Sequence, residues 1–525
     1  MVAAHLCRAG RVQGGVERRP EDPLVSRVSR RRFVGAAGAG LVGGAGLAAV
    51  GWGALGRTLA ASERRNVVLI VIDSLRADHL RCYGARGMRT PNMDALARDS
   101  VRFTSVFPEA MPTMPARRAI VSGRRAYPFR GWRPWAGMAK RPGWEPIQPD
   151  AETLITALGR AGWWTSYVTD NPFLGYTRVL EPFRRTPDRF VRIEGQRGER
   201  RPRSSVPRAA ALRRLPPGPL RRESRVNSIQ QYLANNGRGR NELEQPASRV
   251  FRSAAKLLST AKRHGRFAMV VDCFDPHEPW TPPRRYLDMY GDPDYRGYEI
   301  ADVGYTHASS YLSERHIGRL RTTYKACVTM TDRWLGAFLD RLWDLGLEDS
   351  TAIMLVSDHG VFLGEHDWTG KGPSLLHPEL IHVPMLLREP GGAGAGTASD
   401  WFASTHDVAP TLASLAGVRR PPSFEGADLS PIAEGAVPDE ERPCAVGGYG
   451  NHSYVRDHRW AYIVKNDWSD ERLYDLVADR GERHNVAGRR PDVAARMRGR
   501  VRQVAGGRPP RYSEAAIEAP PRRGF

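Results

Sequence analysis

The chain has 525 residues, a net charge of +22, and apolar and charged fractions of 41% and 26%. Those fractions exclude a disordered polyelectrolyte and a bundle of membrane spans, and the length suits one large domain with a smaller one. The five cysteines are scattered with no C-x-x-C spacing, which excludes a cysteine zinc module and a disulfide framework; Cys82, Cys273, Cys327 and Cys444 are expected as thiols, one bridge being the alternative.

The charge is unevenly placed. Residues 1–65 carry a net +7 and residues 184–225 a net +10, nearly all of it arginine, so the remaining body is only mildly basic. Residues 1–61 read as an N-terminal extension with an export address. Ser29-Arg30-Arg31-Arg32-Phe33-Val34 matches a twin-arginine signal ahead of an uncharged Gly/Ala-rich run at 34–56, with Thr58-Leu59-Ala60 as a cleavage site. The expected partner is the twin-arginine export machinery. The expected location is periplasmic, cell-wall or extracellular, with a membrane anchor through 34–56 as the alternative. Net charge alone would suit a nucleic-acid binder, which an export signal argues against.

The folded part opens with RRNVVLIVIDSLRADHLRCYG. Val67 to Ile72 is a continuous apolar run that reads as a buried parallel strand ending on Asp73. Open α/β sheets place ligands beyond the carboxyl ends of their strands, so residues there are candidate site residues. A helix capped near Thr90 and a strand follow. Helix–strand units then recur, ending at Thr169-Asp170-Asn171, before Asp275-Pro276-His277, and at Asp358-His359. This plan predicts an α/β fold with a doubly wound, mostly parallel sheet flanked by helices, over residues 66–420.

An Arg/Pro/Gly-rich insertion at 185–245 interrupts the plan. It is expected to be loop-like, either a solvated excursion or an anion-attracting flap. Short antiparallel strands and a last helix predict a small α+β domain over 421–505, followed by a loose tail at 506–525.

Asp73, Asp358 and His359 at separated strand ends are the donor types that hold a divalent metal. A hydroxyl beside such an ion can act as a nucleophile, and Thr113 heads the segment Thr113-Met114-Pro115-Ala116-Arg117. Lys371, between two glycines, and His277, flanked by prolines, could neutralise or protonate a leaving oxygen. Plainer readings stand beside these: Thr113 as a helix cap, His277 as a loop pin, Asn171 as a turn residue before Pro172. Glu365, His366, His382 and His406 are expected to be supporting residues, and Trp132, Trp135, Trp144 and Trp280 either cleft or core.

In order and content these segments resemble the sulfatase family of the alkaline-phosphatase-like superfamily, from about residue 66 to 500. VIDSLRADHLRCYG is similar to its first metal strand, and TMPARRAIVSGR to its C/S-x-P-x-R signature with the trailing T/S-G-R. FDPHEPW is similar to its histidine loop, and SDHGVFLGEHDWTGKG to its second metal strand and lysine. DVAPTLASLAG, FEGADLSP and RLYDLVADRGERHNVAG are similar to its later landmarks. The resemblance implies a metal-dependent hydrolase of sulfuric or phosphoric esters, small or polymeric. It implies one divalent ion (Mn, Zn, Fe or Ca) on Asp73, Asp358, His359 and Thr113, catalytic roles for Thr113, Arg117, His277 and Lys371, and substrate contacts at Thr169 and Asn171.

Three departures bear on the reaction. The family converts a Cys or Ser to formylglycine where this chain has Thr113. The hydrate of that aldehyde sheds sulfate by elimination from a second hydroxyl, which threonine lacks. The family's Asp-Asp is Asp73-Ser74 here, and its Asp-Asn is Asp358-His359, which moves the donors toward Mn, Fe or Zn. The expectation is therefore phosphate or phosphonate ester hydrolysis with Thr113 as direct nucleophile. A true sulfatase, a transferase using the same residues, and an inactive anionic-polymer binder are the alternatives.

Overall fold

The apolar run at 67–72 forms the strand Asn66–Ile72, every residue of which is buried. The structure is a computed structural model that describes residues 65–175, 181–292 and 294–522. The leader at 1–61, with its twin-arginine motif and the run at 34–56, lies outside the described residues. Among the described residues no helix is long and apolar enough to cross a membrane.

Eight strands form the main sheet. Their order is Ala398–Ser399, Val101–Phe103, Met385–Arg388, Thr351–Ser357, Asn66–Ile72, Phe267–Cys273, Trp164–Thr169 and Arg189–Arg192. All pairings are parallel except those of Met385–Arg388, which runs against both neighbours. Alternate side chains of a strand point to opposite faces. Accordingly Val68, Ile70 and Ile72 enter one core, under the helices Pro246–Arg263 and Glu314–Asp344. Val67, Leu69 and Val71 enter the other, under Thr113–Ser122, Leu154–Arg160 and Val408–Leu415. The sheet is thus doubly wound, and its central strands are apolar throughout because both faces are covered.

A second sheet has the order Arg472–Asp475, Trp460–Lys465, His452–Arg456, Ala445–Tyr449 and Ala110–Met111. The last strand comes from the first part of the chain and pairs in parallel with Gly448 and Tyr449. The small domain therefore carries the peptide that leads into Thr113, and the two sheets share one site.

The FEG motif is a packing device. Gly123 ends the helix Thr113–Ser122 at φ +61, and its carbonyl accepts from the backbone N–H of Glu425 at 2.7 Å and of Gly426 at 3.0 Å. A Cβ on Gly123 would lie 2.9 Å from Phe424 Cγ, so the FEG turn seats on this glycine because nothing larger leaves room.

Several expectations are corrected. Residues 185–245 are not loop-like. They contribute the edge strand Arg189–Arg192, the helices Arg208–Leu212 and Glu223–Asn235, and a core of their own around Val206, Leu215, Val226, Ile229 and Leu233. Arginine-rich composition hid an amphipathic pattern whose buried positions are few. The tail is not loose: it forms the helix Glu514–Glu518, and the Arg522 backbone N–H donates to Pro134 O at 2.9 Å. The expectation of thiols holds, since the four described cysteines are all free.

Candidate active site

Three strand ends converge. Asp73 follows the strand Asn66–Ile72, Asp358 and His359 follow Thr351–Ser357, and Ala110–Met111 leads into the helix headed by Thr113. Ser74, at φ 58, turns the chain so that its N–H donates to Asp358 Oδ1 at 3.0 Å while its hydroxyl donates to Asp73 Oδ1 at 2.7 Å. A non-glycine residue there costs about 1 kcal/mol or more. Tyr324 holds it by donating its hydroxyl to Ser74 O at 2.7 Å. Ser74 thus orients Asp73 and Asp358.

Thr113 is 2% exposed, and its Oγ lies 3.3 Å from His359 Nε2. The His359 Nδ1–H donates to Gly360 O at 2.8 Å, which leaves Nε2 as the acceptor and makes the Thr113 hydroxyl the donor. Burial pushes the His359 imidazole down to about 4, so it is neutral and carries a lone pair at neutral pH.

Arg117 stands one helical turn after Thr113 on the same face. Its Nη2 donates to Asp272 Oδ1 at 2.8 Å and its Nε to Asp272 Oδ2 at 3.2 Å. Its Nη1 donates to Asp358 Oδ2 and lies 3.0 Å from Asp73 Oδ2. The group is fully buried and does not line the cavity. Arg117, to which the resemblance gives a catalytic role, clamps three carboxylates.

The donor set fits a divalent cation. One ligand atom from each of Asp73, Asp358 and His359 lies within 4.8 Å of the others, and all three residues are buried. Asp73 Oδ2 has no hydrogen bond. Burial, and secondly the facing Asp358, hold the Asp73 carboxyl well above the usual carboxylate range. Asp73, Asp272 and Asp358 bring three carboxylates against one guanidinium, a deficit that a dication would fill.

Lys371 is 2% exposed. Its ammonium donates to both Glu278 oxygens at 3.1 Å, to His277 Nε2 at 3.2 Å and to Tyr305 Oη at 2.9 Å. The His277 Nδ1–H donates to Glu278 O at 2.6 Å, and the ring stacks on Phe274 at 4.1 Å. Burial takes the His277 imidazole down to about 3, so it faces Lys371 neutral, as an acceptor. A cavity of about 510 Å³ opens onto this group, walled by Thr113, Trp144, Phe173, His277, Lys371 and Tyr449.

Thr169 and Asn171 do not wall it. The Thr169 hydroxyl accepts the Asn171 N–H at 2.9 Å, and Asn171 Oδ1 accepts the Phe173 N–H at 2.9 Å. Both side chains form the turn that presents Pro172 and Phe173 to the cavity. Of the tryptophans, Trp144 reaches the cavity, while Trp132, Trp135 and Trp280 belong to the cores. Glu365 pairs with Arg76 at 3.0 Å, His366 stacks on His377 at 3.9 Å, and His382 lies 2.9 Å from Thr104 O. His406 is buried 3.8 Å from Asp407.

Sequence reading missed Asp272, Glu278 and Tyr305. Asp272 carried a signal, a lone acid inside the apolar strand Phe267–Cys273. Tyr305 lies in a stretch with no periodicity and offered none.

Asp170 and Asp275 make a second buried acid pair beside the site, both reached by Gln196 Nε2, at 2.7 and 3.5 Å. Burial, then the facing Asp275, lift Asp170 to about 7; burial lifts Asp275 to about 6. A raised carboxyl stabilises the fold at low pH and loses that contribution as pH rises through its folded value. Asp170→Asn is therefore expected to leave stability unchanged at pH 4 and to raise it at pH 8 on the order of 1–3 kcal/mol, read from urea melts at both pH values. Gln196 Oε1 is buried without a partner, so the amide can turn to receive the new donor.

A sulfatase family model matches residues 65–418, and a model described as N-sulphoglucosamine sulphohydrolase, C-terminal, matches residues 364–505. An arylsulfatase of Clostridium perfringens is 24% identical over 467 residues, covering 80% of this chain and 90% of that protein. Two solved structures share the fold. A phosphonate monoester hydrolase of Agrobacterium radiobacter aligns at TM-score 0.62 and 22% identity, covering 84% of this chain and 95% of its own. A protein solved in complex with its substrate D-glucosamine-2-N,6-O-disulfate aligns at TM-score 0.63 and 18% identity, covering 85% and 98%.

Proposed function

This chain belongs to the sulfatase family, and within it we propose an exported, metal-dependent hydrolase of phosphoric esters whose nucleophile is Thr113 itself. One observation carries the reading. The residue on the cavity floor, at the head of the helix and beside the candidate metal triad, has a single hydroxyl. That rules out release by elimination from a second hydroxyl and leaves displacement at the central atom.

A divalent ion held by Asp73, Asp358 and His359, with Thr113 Oγ beside them, would lower the pKa of the hydroxyl and offset charge on the reacting ester. The imidazole in the donor set favours Mn, Fe or Zn over Ca. Thr113 gives up its hydroxyl proton to solvent, and its Oγ attacks phosphorus in line, forming the Oγ–P bond as the bond to the leaving oxygen breaks. Lys371 gives that oxygen its proton, and the neutral His277 and the Glu278 carboxylate keep the ammonium aimed into the cavity. Water then attacks phosphorus as the Oγ–P bond breaks, one of its protons restores the Thr113 hydroxyl, and solvent returns a proton to Lys371. Export rests on the twin-arginine motif of residues 29–34.

The test is hydrolysis of nitrophenyl phosphate, phosphate diester, phosphonate monoester and sulfate by the metal-loaded protein. Phosphorus esters are expected to turn over faster than the sulfate. Preference for the sulfate would make the protein a sulfatase without formylglycine, and stoichiometric metal with no turnover would make it a binding protein.

Two outcomes follow from the donor geometry. Chelation is expected to cut turnover more than about 100-fold and lower Tm, with Mn, Fe or Zn restoring both and Ca restoring neither. Lys371→Ala is expected to cut kcat by about 10²–10³ for alkyl phosphates and far less for nitrophenyl phosphate, whose leaving group needs no proton. A uniform loss across leaving groups would assign Lys371 to charge stabilisation alone.

A further inference from the structure

We propose that Tyr305 is a positioning residue of the site: its hydroxyl ties the Lys371 ammonium to the Glu278 carboxylate and so fixes which N–H of the lysine is free for a leaving oxygen. The proposal rests on the ester-hydrolase reading of the same cavity. An ammonium carries three N–H donors. Those of Lys371 meet three neighbours, Glu278 at 3.1 Å, Tyr305 Oη at 2.9 Å and His277 Nε2 at 3.2 Å. Tyr305 accepts from Lys371 and donates its own hydroxyl to Glu278 Oε1, so the three side chains close a ring of hydrogen bonds. His277 stands outside that ring. Its neutral Nε2 is the acceptor that a substrate oxygen can replace, because the bond to Glu278 is charge-assisted on both sides and the bond to Tyr305 is the shortest of the set.

The fold fixes the phenol as firmly as the ammonium. Residues 304–307 run beside the short strand Thr369–Gly370. The Thr369 N–H donates to Thr306 O at 3.1 Å, its hydroxyl donates to Gly304 O at 2.6 Å, and His307 bridges to Trp368. One threonine, two residues before the lysine, thus pins Tyr305 from both sides. The ring then lies on Gly370. A Cβ at Gly370, which is at φ +75, would come 2.2 Å from Tyr305 Cδ1, so glycine is what lets the ring settle there. From that seat the ring also faces the ammonium, with Nζ 5.1 Å from its centroid.

Orientation is what a lysine acid lacks by itself. Its ammonium is a compact charge on a flexible stem, with donors that rotate freely. Glu278 alone supplies charge but leaves the ammonium free to turn about their contact. A second fixed acceptor stops that rotation, and Tyr305 is one. Thr113, His277, Tyr305 and Lys371 all line the cavity, so the N–H that faces His277 opens on the side where the ester reacts. That N–H proton passes to the leaving oxygen as its bond to phosphorus breaks, while Tyr305 and Glu278 keep their hold on Nζ.

Tyr305→Phe tests this, because phenylalanine keeps the ring on Gly370 and removes only the hydroxyl. Rates of the metal-loaded protein on ethyl phosphate and nitrophenyl phosphate are compared with and without Lys371→Ala, and the Tm of all four proteins is measured. Tyr305→Phe is expected to lower kcat for ethyl phosphate about tenfold, to leave that for nitrophenyl phosphate within about twofold, and to leave both KM values within about twofold. In the Lys371→Ala background it is expected to change neither rate by more than about twofold, since its effect passes through the lysine. Parental rates on both esters, an equal loss on both, or a loss that persists in full without Lys371 overturns the proposal and leaves the hydrolase standing. A protein that hydrolyses no ester overturns the hydrolase, and the Tm values then decide. A double-variant loss smaller than the sum of the single losses keeps the tie between Tyr305 and Lys371, and additive losses overturn it.

Discussion

Thr113→Ala is expected to lower kcat/KM for the best phosphorus ester by about 10⁴-fold or more, whereas Thr113→Ser stays within about tenfold of the parent. Alanine removes the hydroxyl that lies 3.3 Å from His359 Nε2 at the cavity. Serine keeps that oxygen and loses only the methyl group, so a modest loss measures positioning and a large one chemistry. Single-turnover experiments with a ³²P-labelled ester sharpen the result, because a covalent phosphothreonine intermediate appears on denatured parent protein and is absent from the alanine variant. If the alanine variant kept its rate, water would be the direct nucleophile and the Thr113 hydroxyl only a hydrogen-bond partner of His359.

The second large effect concerns stability as well as rate. Arg117→Met leaves Asp73, Asp272 and Asp358 facing one another in a region where all three are fully buried. Removing one partner of a buried charge cluster costs about 3–5 kcal/mol. Urea melts at pH 7 are expected to show a loss of that size, shrinking at acid pH as the carboxyls take up protons. Arg117→Lys should recover only part of it, since one ammonium cannot span the Asp272 fork and reach Asp358 together. Both variants should lose turnover through misplaced metal ligands. An Arg117→Met protein of parental stability would show that the guanidinium is not what holds the carboxylates.

Much of the frame was legible in residue order. A six-residue apolar run with no polar break identified the central strand at 67–72, and its first polar neighbour is Asp73. Asp358-His359 and Thr113 were found by the same logic, because a strand end and a helix start are local events with local signatures. The ambiguities were local too. The turn at 169–173 has an Asn-Pro signature that suits either a substrate contact or a turn, and the hydrogen bonds of Thr169 and Asn171 show the turn. In the insertion, arginine content masked the short apolar stripe that packs the helix Glu223–Asn235.

The sequence by itself determined the α/β class, the polar strand ends and the single hydroxyl at position 113. Periodicity, turn residues and side-chain chemistry are properties of neighbours along the chain. Only the tertiary structure decided what those residues do to one another. Arg117 meets Asp272 across 155 residues and Lys371 meets Glu278 across 93. A strand from the small domain carries Tyr449 to the cavity, and the insertion brings its arginines over it. Charges so far apart in sequence interact only when burial has removed the water between them, and that removal is the work of the whole fold.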